Sequence, residues 1–124
     1  MVLLLALSTA SCQSNSASTS RGINLWHVVL VKLKDPADEA AKQKIIDVSK
    51  SFRAIPGVLS VHAGAVSPSE RPNQSDDFDI GIVMGFQSHQ AVQSYVNHPL
   101  HKKAVEEVLK PLAKGYTAYD FLNE

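Results

Sequence analysis

Trp26-His27-Val28-Val29-Leu30-Val31-Lys32-Leu33-Lys34 is the stretch on which the fold turns. It alternates with period two: His27, Val29, Val31 and Leu33 share one face, and Trp26, Val28, Leu30, Lys32 and Lys34 share the other. Dense β-branched residues at that period predict a strand. Both of its faces carry bulky apolar groups, and a strand wetted on one side has no use for them. The architecture therefore has to cover this sheet from two directions.

Outward from this strand the periodicities change. Asp35-Pro36 offers a helix N-cap and a first-turn proline, and Asp38 and Glu39 suit the positive end of a helix dipole. Ala41, Ile45, Val48, Phe52 and Ile55 then recur at spacings of four and three, as one apolar stripe of a helix. Pro56-Gly57 ends it and leads into a second strand, Val58 to Val66, which contains His62. Ser67 to Asp77, with Pro68 and Pro72, reads as a solvated loop. Phe78, Ile80, Ile82, Met84 and Phe86 share one face of a third strand. Gly81, Val83 and Gly85 lie on its other face, where small residues admit a close neighbour. Ser88 caps a second helix, His98-Pro99 breaks and restarts it, and Leu100, Ala104, Val105, Val108 and Leu109 line its apolar side up to Pro111. Gly115 releases a last strand, Tyr116 to Leu122.

The predicted order, β-α-β-β-α-β, is the ferredoxin-like split βαβ arrangement of the α+β class. Two helices cover one face of a four-stranded sheet. Leaving Val28, Leu30 and their neighbours wet on the other would cost several kcal/mol at about 25 cal/mol per Å², a large share of a domain's stability. The uncovered face is expected to meet a second copy, sheet on sheet, giving a homodimer and a dimeric α+β barrel.

Composition sets the other bounds. A chain of 124 residues fits one domain, and twelve Lys plus Arg balance twelve Asp plus Glu. That neutrality gives no general attraction for nucleic acid or anionic headgroups. All of these charges fall after residue 20. Met1 to Leu7 is an apolar run too short to span a bilayer, and small residues follow it up to Cys12. Ser8-Thr9-Ala10-Ser11-Cys12 resembles the bacterial lipoprotein signal, although Thr9 stands where an aliphatic residue is usual. That resemblance implies a signal segment over residues 1–11, lipidation of Cys12, export, and a membrane anchor facing the periplasm or exterior. The Ser-rich stretch Gln13 to Ser20 suits a flexible tether, so the linker is placed at 12–22 and the folded domain at 23–124. The other reading of Cys12 is an incidental thiol, since a lone Cys forms no internal disulfide.

His27 to Lys34, Ile55-Pro56-Gly57-Val58, Tyr95-Val96-Asn97-His98-Pro99-Leu100-His101, Lys110-Pro111-Leu112 and the closing Asp120-Phe121, in that order, resemble the stress-responsive dimeric A/B barrel (Dabb) family. The resemblance spans Trp26 to Phe121 and implies a homodimer with a shared β-barrel. One plant member of that family closes a linear polyketide thioester to an aromatic acid without cofactor or metal. It uses the Tyr and second His of a Y-x-x-H-P-x-H motif, together with a His opening the first strand. Here those positions hold Tyr95, His101 and His27.

This implies His101 as a catalytic base, Tyr95 as a proton donor, and His27, Tyr95, His98 and His101 as ligand-binding residues. The chemistry fits, because an imidazole titrating near ~6.5 is poised to accept a proton at neutral pH, and a phenol can donate to a developing oxyanion. Structural roles stand beside these. His98 can simply cap a helix, His101 can be a hydrogen-bonded packing residue, and Tyr95 can belong to the edge of the core. No cofactor is expected, and no metal: His98 and His101 have no Cys or carboxylate at zinc-site spacing. His62 and His89 suggest no partner.

An exported domain would not meet a cytoplasmic coenzyme A thioester, so the pocket would need another substrate. Three functions remain open: a module binding a small apolar or aromatic molecule between sheet and helices, a cofactor-independent proton-transfer enzyme, and a structural homodimer without ligand.

Overall fold

The computed structural model describes residues 22–124; the expected signal segment, Cys12 and nearly all of the linker lie outside the described residues. Strand β1 (Leu25–Leu33) leads to helix α1 (Glu39–Ser51), strands β2 (Ser60–Ala65) and β3 (Ile80–Phe86), helices α2 (His89–Asn97) and α3 (Pro99–Ala104), and strand β4 (Ala113–Leu122). The sheet order is β2-β3-β1-β4 with every pairing antiparallel, which is the expected ferredoxin-like α+β topology. His27 stands opposite Met84 on β3 and opposite Asp120 on β4.

The period-two reading of β1 holds. Leu25, His27, Val31 and Leu33 are buried beneath the helices, while Trp26, Val28 and Leu30 on the open face are half-buried in the single subunit. The helix-side core joins Leu25, Val31, Ile45, Phe52, Ile55, Ile80, Met84 and Phe86. On the open face β4 adds Tyr119 and Phe121, 55% and 54% exposed. The helix layer stops short of β4, so Tyr116 and Leu122 on its helix side are exposed as well.

Several local expectations are corrected. Asp38, not Asp35, caps α1, its carboxylate accepting from the Ala41 N–H at 2.9 Å. Asp35 instead accepts from the Ala37 N–H and tightens the preceding turn. The helix tightens into one 3₁₀ turn over Phe52–Ala54, and Gly57, at φ +90°, supplies the left-handed residue that turns the chain into β2. Phe78 does not join the buried face of β3. The strand begins at Ile80, and the Phe78 ring reaches the open face over Gly81. Gly85 is the close approach expected of a small residue: a Cβ there would sit 2.5 Å from Ile23 Cδ1 and 2.6 Å from Ser60 Oγ.

The second helical segment is less regular than its apolar pattern suggests. Leu100 is half exposed, and Val105–Leu109 winds as π-helix before a last α-turn, Lys110–Leu112. Pro111 has no N–H to give to an i−4 carbonyl, and the Lys110 N–H reaches back five residues to Val105, which widens the turn. Strand β4 starts at Ala113, earlier than Gly115 would suggest, because Ala113 already pairs with Leu33 across a register shift beside Lys32.

Candidate functional site

Between the helix layer and the β1 side of the sheet lies a cavity of about 180 Å³. Its floor is Val29, Val31 and Ile82, its walls are Ile45 and Phe52 on one side and Ala104, Val105 and Val108 on the other, and Tyr116 and Ala118 of β4 stand at its exposed rim. Apolar side chains predominate. His27, Ser49, Tyr95 and His101 are the polar groups inside, and the Ser49 hydroxyl donates to the Ile45 carbonyl at 2.7 Å.

Three of the four expected ligand-binding residues converge here because three elements deliver them. β1 projects His27 toward the helices, the last turn of α2 carries Tyr95, and the first turn of α3, restarted by Pro99, carries His101. The ring centroids of Tyr95 and His101 are 4.4 Å apart, and those of Tyr95 and His27 are 6.0 Å apart. Phe52 and Phe86 pack against Tyr95 at 5.6 Å and 5.3 Å, which holds the phenol in place. His98 is the exception. It is not among the lining residues, and its Nδ1 accepts from the Leu100 N–H at 3.2 Å, so it is the N-cap of α3 and not a ligand contact. The X-Pro bond forces that split: the residue before a proline is pushed to extended backbone, where a side chain turns back onto the helix start.

The electrostatics are set by burial. Tyr95 is 3% exposed, and desolvation pushes its phenol well above the ordinary range, so it stays protonated as a donor. Desolvation also holds His101 below the usual imidazole value. The charge of His27 acts in the same direction, and the hydrogen bond of His101 to Val96 acts against both. His101 Nδ1 donates to the Val96 carbonyl at 3.1 Å, because a carbonyl only accepts; Nε2 is the other ring nitrogen.

Asp120, which in the sequence stands out only as part of the closing Asp120-Phe121 pair, is a site residue as well. Its carboxylate accepts from His27 Nδ1 at 2.5 Å, which fixes the ring's orientation. A signal for it was present. Asp120 falls on the same alternation as Ala118 and Leu122, and antiparallel pairing of the first and last strands sets it opposite His27. Among the described residues no group of three or more His, Cys, Asp or Glu is placed to hold a metal ion, and no helix is long and apolar enough to cross a membrane.

The family model described as the stress responsive A/B barrel domain (Dabb) matches residues 25–123. A stress-response A/B barrel domain-containing protein of Arabidopsis thaliana is 27% identical over 107 residues, which are 86% of this chain and 40% of that protein. The chain thus spans about two fifths of that relative's length. Among solved structures, a Dabb family protein with a ferredoxin-like fold from Mesorhizobium loti shares 24% identity at a TM-score of 0.65, covering 81% of this chain and 96% of its own. A dimeric ferredoxin-like protein of unknown function from Thermobifida fusca shares 19% at a TM-score of 0.66, covering 83% and 93%. The topology and the match across nearly all of the described residues together place this chain in the stress-responsive A/B barrel (Dabb) family.

Proposed function

We propose that this protein binds a small, mostly apolar molecule in the cavity between sheet and helices. The observation that carries the reading is the cavity itself: apolar walls around about 180 Å³, with Tyr95, His101 and His27 converging on it. A structural domain gains nothing from such a space, since each unfilled cavity forfeits packing contacts. Titration with toluene, followed by amide chemical shifts, tests it. Saturable binding at millimolar concentration is expected, with its loss in Val108→Trp, which fills the wall from a half-buried position. No saturation by toluene, indole or phenol would remove the reading.

A second reading is favoured by one observation, the pairing of His27 with Asp120 beside His101 and a protonated Tyr95. These groups suit proton transfer without a cofactor, with His101 as base and Tyr95 as donor. His101→Ala abolishing a turnover while toluene still binds would mark an enzyme.

The working unit in this proposal is a homodimer joined through the open sheet face. Trp26, Val28, Leu30, Tyr119 and Phe121 supply its apolar surface, and the dimeric state of the neighbour from Thermobifida fusca supports a pair of subunits. A lipid anchor at Cys12, holding the dimer to a membrane outside the cytoplasm, belongs to the proposal too. Its support is the residue pattern before Cys12, and mass spectrometry of the membrane-extracted protein tests it.

A further inference from the structure

The cavity of the binding reading, on which this inference rests, has one unfinished side. Its floor and helical walls are buried or half-buried, whereas Tyr116 and Ala118 at the rim belong to β4, where every residue after Ala113 is exposed. β4 is also an edge of the sheet, and among the described residues it pairs with β1 alone. The Asn123 N–H donates to the Asn24 carbonyl at 2.9 Å, so by the alternation of an antiparallel ladder Phe121, Tyr119 and Thr117 turn their backbone groups toward β1. Tyr116, Ala118, Asp120 and Leu122 turn theirs outward. The residues at the cavity rim are thus among those that leave a free backbone edge.

An edge strand of this length, apolar on both faces, is a template for another chain. Tyr116, Tyr119, Phe121 and Leu122 are each more than half exposed. Gly115 to Leu122 contains no proline and a single charge, Asp120, which is engaged by His27, so the usual devices that blunt an edge are missing. The occupant that fits is a second copy of this chain. The free edge is continuous with the open face carrying Trp26, Val28 and Leu30, and the Thermobifida fusca neighbour of the same fold is dimeric.

One residue connects the cavity to that surface. Tyr116 lines the cavity, and it also lines a depression on the open face formed with Leu30, Phe78 and Tyr119. At 57% exposure its ring is held by neither side in the single subunit. A body seated against the open face and the β4 edge confines that ring and withdraws the rim from water.

We infer that the second copy completes the cavity: pairing through the open face and the β4 edge fixes Tyr116 across its mouth, so the dimer binds the apolar molecule more tightly than a single subunit does. By linkage the molecule tightens the dimer in return. A tenfold preference requires only about 55 Å² of apolar surface withdrawn from water at ~25 cal/mol per Å², a fraction of the ~150–250 Å² that an aromatic side chain can bury. With one site in each subunit, tenfold at each site becomes about a hundredfold in the dimer's dissociation constant at saturation.

Toluene is the probe, on the full chain. Sedimentation across a dilution series is expected to give a dimer dissociation constant about a hundredfold lower with saturating toluene than without it. Tyr119→Asp, on the open face and outside the cavity lining, supplies a monomer. Its toluene affinity, titrated by amide shifts that also report its native fold, should be at least tenfold weaker than that of the parent dimer. In Tyr116→Ala the dimer's dissociation constant should stay within twofold whether or not toluene is present. A parent constant that saturating toluene leaves unchanged overturns the inference without any variant, and the cavity reading then stands. Equal affinity in the Tyr119→Asp monomer and the parent dimer overturns it as well, as does a full response in Tyr116→Ala or a parent that is monomeric at every concentration. Toluene that saturates neither form sinks the cavity reading itself.

Discussion

Removing Asp120 tests whether the bond between β4 and the site is as strong as its geometry indicates. His27 is 8% exposed and its Nδ1 sits 2.5 Å from a carboxylate that is about one-third exposed. A hydrogen bond to a charged group contributes about 1.5–3 kcal/mol. Water reaching the open side of Asp120 brings the expected coupling to roughly 1–1.5 kcal/mol. In Asp120→Ala the buried Nδ1–H loses its acceptor, and for a domain of this size the midpoint of thermal unfolding should fall by roughly 5–10 °C.

His27→Phe is the matching single variant, because the ring it replaces already packs edge-on against Phe86 and Tyr95. The two single variants and the double variant form a cycle, measured by denaturant unfolding at one fixed protein concentration because association would add to stability. A coupling inside the ~0.5 kcal/mol scatter of independent sites would refute the argument. Asp120 would then be an edge residue touching His27 without holding it.

Three further outcomes follow from other parts of the fold. Gly85→Ala should destabilise by about 1–3 kcal/mol in chemical unfolding, since the new methyl meets Ile23 and Ser60 well inside contact distance. Val28→Asp should shift the sedimentation profile from dimer to monomer, and an unchanged monomeric profile in the parent protein would end the paired-sheet proposal. The lowered affinity of His101 for protons has a definite sign. Its contribution is present in full above the unfolded value of ~6.5 and is lost as the pH falls from there through the depressed folded value, as unfolding midpoints across that range should record.

Much of this protein is legible from its residues because side-chain period reports burial directly. The alternation of Trp26 to Lys34 and of Phe78 to Phe86 marks both strands, and marks both faces correctly except at Phe78. The spacing of Ala41, Ile45, Phe52 and Ile55 marked the buried side of the first helix. The Y-x-x-H-P-x-H motif brought Tyr95 and His101 together because three-residue and six-residue separations around one helix break are local geometry. Capping choices were harder to read. Asp35 and Asp38 are chemically equivalent, and only the turn that precedes the helix makes one of them the cap. The same limit applies to His98, whose side chain was free to line the cavity until the extended backbone before Pro99 turned it onto the Leu100 amide.

What the residues determined alone is the element order, the two-sided sheet and the local pairing of Tyr95 with His101, all consequences of short-range spacing. The tertiary fold decided the rest. Asp120 reaches His27 across 93 positions of chain because β1 and β4 pair antiparallel, and β4 is left bare on both faces because the helix layer is too narrow to reach it. A cavity has the same origin: its volume is whatever remains when separate elements pack, and no single stretch of sequence encodes that remainder.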